Sequence, residues 1–181
     1  HSAAALANAG TIAGDLPKRA GDFVKSAGPS GGGGGGGAMA MGAVKLFMQM
    51  AKDNGMSNNA TVRQDLVKLH TLHEVGRMLA MRLKAEKSAG RDIPGAANIA
   101  KLSMSEIMRQ SRDLGLRIAG ANGMLHAYTT SGREVIEAAT GLPYLPHVTE
   151  LALFAQGPPI YGGTDQVQRN ILGERVLGLP R

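Results

Sequence analysis

The sequence predicts an all-α fold, an antiparallel helical bundle, and three observations support this prediction. The apolar residues are mainly Ala, Leu, Ile, Val and 10 Met, whereas only 3% of the chain is aromatic and Trp is absent. Most of these residues are good helix formers, and a β-sandwich would favour alternating aromatic and β-branched residues instead. Apolar residues also recur at helical spacing over long segments. Short Gly- or Pro-containing breaks separate these segments, which favours consecutive helices as antiparallel neighbours.

Residues 1–37 differ from the rest and predict a flexible N-terminal segment. Glycines and prolines interrupt every apolar pattern there, and the segment ends in seven consecutive glycines, Gly31–Gly37. A glycine run has too much backbone freedom to hold one shape unaided. The alternative is a phosphate-binding loop, but that loop needs a preceding strand and a Lys-Ser/Thr pair, which this sequence lacks. We therefore expect a flexible segment at 1–37 and a helical bundle domain at 38–181.

Three long helices open the predicted domain. They begin at Met39, after an N-cap at Asn59 or Thr61, and near Pro94, which is allowed in a first turn. Their ends are predicted at Asp53, before Gly90, and at Gly120-Ala121-Asn122-Gly123. The apolar stripe of the second helix is Val62, Leu66, Leu69, Leu72, Leu79 and Leu83. That of the third is Ala100, Met104, Ile107, Leu114 and Ile118.

Shorter helices complete the predicted bundle. Two of them cover Gly132–Ala139 and Val148–Ala155. A last helix begins at Thr164, and its expected buried residues are Val167, Ile171, Leu172 and Val176.

Composition limits the class of function. The net charge is +6, but Lys and Arg are scattered and are not interleaved with aromatics, so a solvated basic surface is favoured over a nucleic-acid site. The absence of Cys excludes a disulfide framework and a Cys-ligated zinc site, and it fits a reducing, cytoplasmic location. No apolar run reaches the length of a membrane helix. The first residues resemble an internal cut, which predicts a piece of a longer protein.

The motif H-x-x-H-E, formed by His70, His73 and Glu74, is the one candidate metal site. Residues three and four apart share a helix face, so two of these side chains could reach one metal ion. A di-metal bundle site needs a second Glu-x-x-His on a facing helix, and the third helix offers Glu106 without a His. Surface or interface histidines are therefore the favoured interpretation, and we predict no metal.

The final segment, Ile160–Arg181, carries the most specific pattern. Gly162-Gly163 allows the backbone to approach a ligand closely, and Thr164 stands at an N-cap position whose following N–H groups can hold an anion. An ordinary glycine turn that leads into a helix is the alternative interpretation.

The tail from Tyr161 to Arg169 resembles the acyl-CoA dehydrogenase motif Y-E-G-T-x-x-I-Q-R, and the ending E-R-V-L-G-L-P-R is similar to that family's as well. Gly120-Ala121-Asn122-Gly123 is similar to its G-G-x-G turn, so the resemblance extends over Met39–Arg181. It implies an actinobacterial-type, FAD-dependent enzyme of fatty-acid or steroid degradation that converts an acyl-CoA to its trans-2-enoyl form and passes electrons to an electron-transfer flavoprotein. It further implies a four-helix bundle, a homo- or hetero-tetramer, and no nucleic-acid or membrane partner.

The resemblance also implies site residues. Thr164, Asp165 and Gln166 would bind FAD, and Gly163 would face the acyl-CoA thioester. Gly120 would touch the FAD diphosphate of a neighbouring subunit. Arg117 stands where the family often has Gln, and its guanidinium could hold the diphosphate. The family's R-x-x-F-G, another FAD contact, is replaced here by Ala51-Lys52-Asp53-Asn54-Gly55.

The catalytic base is the main departure from the family. The usual Glu between Tyr and Gly is Gly162, and the alternative L-x-x-E-R stretch is matched only by Leu6-Ala7-Asn8-Ala9-Gly10, without a Glu. No catalytic residue is therefore assigned to this chain, which we expect to be inactive and free of FAD when alone. Two further classes stay open: a non-catalytic helical assembly module that partners a catalytic flavoprotein, and an anion- or nucleic-acid-binding bundle.

Overall fold

The computed structural model of this protein describes the backbone of residues 34–180 and the side chains of residues 43–180. Within that range the fold is all-α and contains no strand, which confirms the predicted fold class. Most of the predicted flexible segment, including Leu6–Gly10, lies outside the described residues. Contacts divide the chain into two compact units, of which the second, Gly36–Arg181, contains the bundle.

The described elements follow one another in an all-helical order. The bounds are α1 Gly34–Asp53, α2 Ala60–Ser88, α3 Ala96–Ala119, a 3₁₀ turn Gly120–Met124, α4 Thr130–Thr140, α5 Leu145–Phe154, and α6 Asp165–Ile171, which continues as a π-helical turn Leu172–Val176. The first helix begins five residues before the predicted Met39, inside the glycine run. Among the described residues, no helix is both long enough and apolar enough to cross a membrane.

Local signals account for the ends of the long helices. Asn59 caps α2 as predicted, because its side-chain oxygen accepts hydrogen bonds from the backbone N–H groups of Thr61 and Val62 at 3.0 and 3.1 Å. Gly90, with φ +70°, follows the end of α2. The third helix begins two residues after Pro94, since Gly95 occupies its N-cap in a left-handed conformation.

The hydrophobic core lies where α1, α2, α3 and α5 meet. Its buried members are Ala43, Phe47, Met50, Ala51, Val62, Leu69, Ile107, Leu114, Ile118 and Val148. The glycine at position 115 of α3 allows the close packing, because a Cβ there would lie 2.9 Å from Val148 Cγ1 and 3.0 Å from Phe47 Cε1. Four helices thus share one core, and α3 is the element that α2, α5 and α6 all contact.

Two long-range hydrogen bonds fix the end of α1 against the rest of the bundle. Asn54 Nδ2 donates to the carbonyl oxygen of Ile118 at 2.9 Å, which places the turn after α1 beside the end of α3. Tyr144 Oη donates to Asp53 Oδ2 at 2.6 Å, and burial together with this bond raises the pKa of Tyr144 to about 12. The α1–α2 turn, the end of α3 and the α4–α5 connection therefore meet at one end of the bundle.

All three predicted apolar stripes differ in part from the observed buried sides. On α3, Ile107, Leu114 and Ile118 are buried as predicted, but Ala100 is exposed and Met104 is partly buried. On α2 the fully buried residues are Val62, Leu69 and His73, while Leu66, Leu72, Leu79 and Leu83 are only partly buried. The prediction for α6 was wrong: Asp165 and Gln168 are its buried residues. Val167 and Val176 are exposed, and Ile171 and Leu172 are partly buried. The reason is that α6 packs on a polar part of α3, where side-chain hydrogen bonds replace apolar contacts.

Candidate functional site

The turn before α6 presents backbone rather than side chains to the surface. Gly162 and Gly163 both adopt positive φ, +65° and +86°, a conformation that favours glycine. A Cβ at Gly163 would lie 2.7 Å from Gln168 Nε2, whereas one at Gly162 would meet nothing within 4 Å. Thr164 caps α6 as expected, since its Oγ1 accepts the backbone N–H of Val167 at 3.3 Å. This Gly162–Thr164 segment is called the glycine turn below.

A buried glutamine holds the glycine turn in place. Gln168 is 8% exposed, and its Nε2 donates to the carbonyl oxygen of Gly162 at 2.9 Å. Asn98 Nδ2 on α3 donates in turn to Gln168 Oε1 at 2.6 Å. The sequence analysis missed this pair, because 70 residues separate the two side chains and no local pattern joins them.

Asp165 lies under the glycine turn in a buried charge cluster. Its side chain is 5% exposed and accepts hydrogen bonds from Lys101 Nζ and Arg109 Nη1, both at 2.9 Å. Arg109 also reaches back to Glu106 Oε2 through Nη2 at 2.8 Å, and Gln110 Nε2 donates to Glu106 Oε1 at 2.9 Å. Two cations of α3 thereby anchor the start of α6, and Glu106 holds Arg109 in place.

The Asp165 carboxylate is a structural anion. Burial by itself would raise its pKa, but the hydrogen bonds from Lys101 and Arg109 outweigh this effect and hold the pKa well below the usual carboxyl range. Because the side chain faces the interior, it is not among the groups exposed at the glycine turn, in contrast to the FAD contact predicted for it. Gln166 is exposed at the turn, whereas Thr164 is partly buried and its Oγ1 caps α6.

Exposed apolar side chains border the glycine turn. Phe154, Ile160 and Tyr161 are 55%, 67% and 48% exposed. The rings of Phe154 and Tyr161 face each other with centroids 6.4 Å apart. The turn therefore has a polar side at Thr164 and Gln166 and an apolar side at these residues.

Arg117 and Gly120 lie at the other end of α3. Arg117 is half-exposed, and its Nε lies 3.1 Å from Asp65 Oδ2 on α2. Gly120 has φ +58° and open space around it, and Asn54 reaches the neighbouring Ile118 carbonyl. The structure therefore joins Arg117, Gly120 and the α1–α2 turn, which the resemblance had linked separately to FAD.

The two groups of predicted residues are separated along α3. The α3 residues that contact α6 run from Asn98 to Arg109, and they lie 19 to 8 residues before Arg117, which corresponds to about 28 to 12 Å of helix. One chain therefore presents two separate faces, one at the glycine turn and one at the C-terminal end of α3.

A surface groove of about 510 Å³ lies between α1 and α2 and was not predicted. Its floor is mostly apolar, while Lys52, Arg63 and His70 bring nitrogen groups to it and no Asp or Glu lines it. The lining residues are Val44, Met48, Ala51, Lys52, Ser57, Arg63, Gln64, Leu66, Val67 and His70. The sequence shows Lys52 and Arg63 on either side of the break between two helices. Only the packing of α1 against α2 brings these two cations to one groove.

The H-x-x-H-E motif is divided between different environments. His73 is buried with its Nε2 unpartnered in the described part of the chain, whereas His70 is exposed. Glu74 accepts a hydrogen bond from Arg77 Nε at 2.9 Å. In the residues with described side chains, no three His, Asp or Glu groups are arranged to hold a metal ion.

Comparison with protein families gives one match that covers most of the chain. A family model described as "Acyl-CoA dehydrogenase, C-terminal domain" matches residues 33–177. Among curated proteins, acyl-CoA dehydrogenase IpdE1 of Mycolicibacterium smegmatis is 31% identical over 134 residues, which is 74% of this chain and 29% of the relative. The protein of the same name from Mycobacterium tuberculosis is 28% identical over 134 residues, 74% of this chain and 31% of the relative.

Solved structures show the same fold. The chain is similar to a chain of the "Tcur3481-Tcur3483 steroid ACAD" with a TM-score of 0.64 and 21% identity, over 81% of this chain and 36% of that one. A variant of that protein matches with the same TM-score and identity, over 37% of its chain. The chain thus spans about a third of the length of the proteins it matches.

Proposed function

This chain belongs to the acyl-CoA dehydrogenase family, as its C-terminal domain, and from that membership we propose that it forms one wall of an FAD-dependent dehydrogenation site without supplying the catalytic base. The reaction would remove the α-proton of an acyl-CoA thioester while the β-hydride leaves for the flavin. The observation that carries the proposal is the glycine turn: it is anchored by Gln168 and Asp165, and Gly162 stands where the resemblance would place the base.

The carboxylates around the glycine turn support the absence of a base. An effective general base has a pKa near the working pH. Asp165 is paired with two cations that hold its pKa far below that range. The pKa of Glu106 is also lowered, by hydrogen bonds from Gln110 and then from Arg109. Gly162 has no ionisable group, so the base would come from residues outside this domain.

The residues of this domain would form part of an FAD-binding site. Bound FAD would accept the hydride of the substrate. The exposed Gln166 and the cap residue Thr164 would contact one FAD. The groove between α1 and α2, with Lys52 and Arg63 over an apolar floor, would suit the diphosphate and ring of another. These cations would replace the Arg that the family carries in R-x-x-F-G, and Arg117 and Gly120 lie at the same end of the bundle.

The two-face arrangement supports a site that is shared between subunits. Asn98 and Lys101 of α3, which contact Gln168 and Asp165 beside the glycine turn, lie about 28 and 24 Å of helix before Arg117, so one chain would contribute to two flavins. The complete assembly would be a homo- or hetero-tetramer that passes electrons to an electron-transfer flavoprotein.

The substrate class is proposed from the relatives and the apolar border. The structural relatives are titled steroid ACAD, and Phe154, Ile160 and Tyr161 present exposed apolar surface beside the glycine turn. We infer a steroid-derived acyl-CoA, whose bulk the absence of a side chain at Gly162 would accommodate.

The first experiment uses the purified chain with added FAD, an acyl-CoA and an artificial electron acceptor. We expect no turnover, and no flavin absorbance after gel filtration. Under the proposal, residues outside this domain supply the catalytic base and most of the contacts to the flavin. Turnover by the chain alone would contradict the proposal.

The second experiment uses the chain in complex with the domains or chain that supply the base. Gln166→Ala should lower flavin content and activity, whereas Gln156→Ala, another exposed glutamine, should leave both unchanged. Equal flavin content in the two variants would remove Gln166 from the site.

A helical assembly module is the second candidate, since exposed apolar side chains such as Met124, Val135 and Val176 are available for a partner. Under that function the complex would form, and Gln166→Ala and a bulky Gly163→Val would both leave its activity intact. Under the proposed dehydrogenase function, Gly163→Val would abolish activity while the complex still forms.

A further inference from the structure

The backbone is fixed on both sides of the glycine turn, but its own N–H groups are not. Before the turn, the N–H of Tyr161 donates to the carbonyl oxygen of Gly157 at 3.0 Å. After the turn, the N–H of Asp165 donates to the carbonyl oxygen of Pro159 at 3.0 Å. The three N–H groups of the turn itself have no hydrogen-bond acceptor among the described residues.

The peptide group between Gly162 and Gly163 could therefore face either way. Glycine adopts positive and negative φ about equally readily, so a rotation of ψ at Gly162 and of φ at Gly163 would reverse this peptide at little cost. In one orientation its N–H faces outward, and in the other its carbonyl oxygen does. A side chain outside the turn has to decide between the two.

Gln168 holds one of these two orientations. It is 8% exposed, and its Nε2 donates to the carbonyl oxygen of Gly162 at 2.9 Å and to that of Gly163 at 3.5 Å. Among the described residues no peptide bond is cis, and in a trans peptide the N–H points opposite to the carbonyl. The N–H of Gly163 is therefore directed away from Gln168, toward the exposed side of the turn.

Asn98 sets the direction of the Gln168 amide. A backbone carbonyl only accepts hydrogen bonds, so the part of Gln168 that faces Gly162 has to be the Nε2 donor. Its Oε1 then faces α3, where Asn98 Nδ2 donates to it at 2.6 Å. If Asn98 presented an acceptor instead, the Gln168 amide would reverse and turn Oε1 toward the Gly162 carbonyl. The orientation of the turn thus depends on two amides in series, the first of them on α3.

We propose that Asn98 and Gln168 are positioning residues that lock the Gly162–Gly163 peptide with its N–H outward, as a donor to a carbonyl oxygen of the bound acyl-CoA. The identity of this ligand rests on the proposed function, whereas the lock itself does not. A reversed peptide would present its own carbonyl oxygen to the same oxygen atom, and the two would repel each other. Asn98 and Gln168 therefore act on the substrate through the backbone, without touching it.

Backbone NMR of the full chain tests the lock without any ligand. Gln168→Met keeps the length of the side chain but removes its donor. The amide nitrogen and carbonyl carbon resonances of Gly162 and Gly163 should then shift or broaden, because the peptide samples both orientations. Gln156→Met, at an exposed glutamine, should leave these resonances unchanged. The same resonances unchanged in Gln168→Met would overturn the proposal.

Gln168→Glu is a second variant whose effect depends on pH. A protonated Glu can donate to the Gly162 carbonyl and accept from Asn98, as Gln does, whereas an ionised Glu can only accept. The Gly163 amide resonance of this variant should match the wild type at about pH 5 and depart from it at about pH 8, since burial raises the pKa of a carboxyl group. The wild type, measured at both pH values, is the control. A resonance that differs from the wild type equally at both pH values contradicts the lock.

Kinetics of the assembled dehydrogenase test the link to the substrate. In the complex with the chain or domains that supply the base, Asn98→Asp should lower kcat by roughly tenfold to a hundredfold, with KM and flavin content nearly unchanged. A merely structural role would instead lower the flavin content or the amount of complex. An unchanged kcat in Asn98→Asp, in a complex whose wild type turns over, overturns the proposal. If the wild-type complex has no acyl-CoA dehydrogenase activity, the proposed function is wrong and so is the ligand named here, while the resonances of Gly162 and Gly163 still decide the lock.

Discussion

The carboxylate of Asp165 shows how one buried residue can hold an exposed turn in place. It receives two hydrogen bonds from cations on α3, and it is the first residue of α6, directly after the glycine turn. Removing one partner of a buried ion pair is costly because the remaining charges lose their compensation. The position of the glycine turn therefore depends on a charge cluster beneath it.

Replacing Asp165 by Asn should destabilise the fold. Lys101 and Arg109 would lose their shared counter-charge, and we expect the free energy of unfolding to fall by about 3 kcal/mol, the low end for a buried pair because Arg109 is partly exposed. Urea unfolding at neutral pH measures this loss. The matched control is Asp113→Asn, whose pair with Arg112 is at the surface and should contribute about 0–1 kcal/mol.

The pH dependence provides a second check of this prediction. The folded-state pKa of Asp165 is depressed, so its stabilisation is present above the unfolded carboxyl pKa of about 4 and is lost as the pH falls below it. The Asn variant should therefore lose less stability than the wild type on acidification. Parallel acid curves for the two proteins would mean that Asp165 is not the stabilising anion.

His73 should make the fold sensitive to mild acid. Burial lowers its pKa, His70 lowers it further, and its Nε2 has no described partner. Because the folded-state pKa is depressed, the unfolded chain takes up the proton first as the pH falls below about 6.5, and the free energy of unfolding decreases. Urea unfolding from about pH 7.5 to about pH 5.5 should show this decrease for the wild type. His73→Leu should flatten it, and an equal slope in that variant would contradict the assignment.

At the scale of the element, α3 organises the molecule. Its apolar side enters the core through Ile107, Leu114 and Ile118, while another part of its surface holds α6 through Lys101 and Arg109. Its end receives the α1–α2 turn through the Ile118 carbonyl. One helix therefore fixes the distance between the two proposed cofactor-facing regions.

Two helical glycines should respond in opposite ways to the same substitution. Gly115→Ala would push a methyl group to 2.9 Å from Val148 Cγ1 and 3.0 Å from Phe47 Cε1, so we expect a net loss of about 1–2 kcal/mol. Gly76→Ala on α2 meets nothing within 4 Å and should gain about 0.5–1 kcal/mol from helix propensity. Thermal unfolding compares the two variants. Stabilisation by both substitutions would contradict the prediction, because it would mean that Val148 and Phe47 can move aside for the added methyl group at little cost.

At the scale of the whole molecule, many large apolar side chains lie outside the core and are exposed. Exposed apolar side chains lie on α2, beside the glycine turn and around Met124. The chain matches the family model over residues 33–177 and spans about a third of the length of its relatives. The proposed dehydrogenase role uses the part of this surface that lies beside the glycine turn.

The sequence by itself determined the fold class, the family and most helix ends. Asn59 and Thr164 are local signals, because capping depends on residues next to one another along the chain. The tail motif is also contiguous, so its resemblance was visible without any structure. Gly162, which stands where the resemblance would place a Glu, is likewise read from the sequence, and it is the basis of the proposal that this chain supplies no base.

Only the tertiary structure decided which side of each helix is buried and which polar side chains form buried hydrogen bonds. Asp165 and Gln168 lie inside because Lys101, Arg109 and Asn98 of α3 stand opposite them, 56 to 70 residues away in the chain. The groove between α1 and α2 likewise arises from packing. Periodicity shows that a helix has an apolar side, but the partner that covers it, or leaves it exposed, is set by contacts between distant residues.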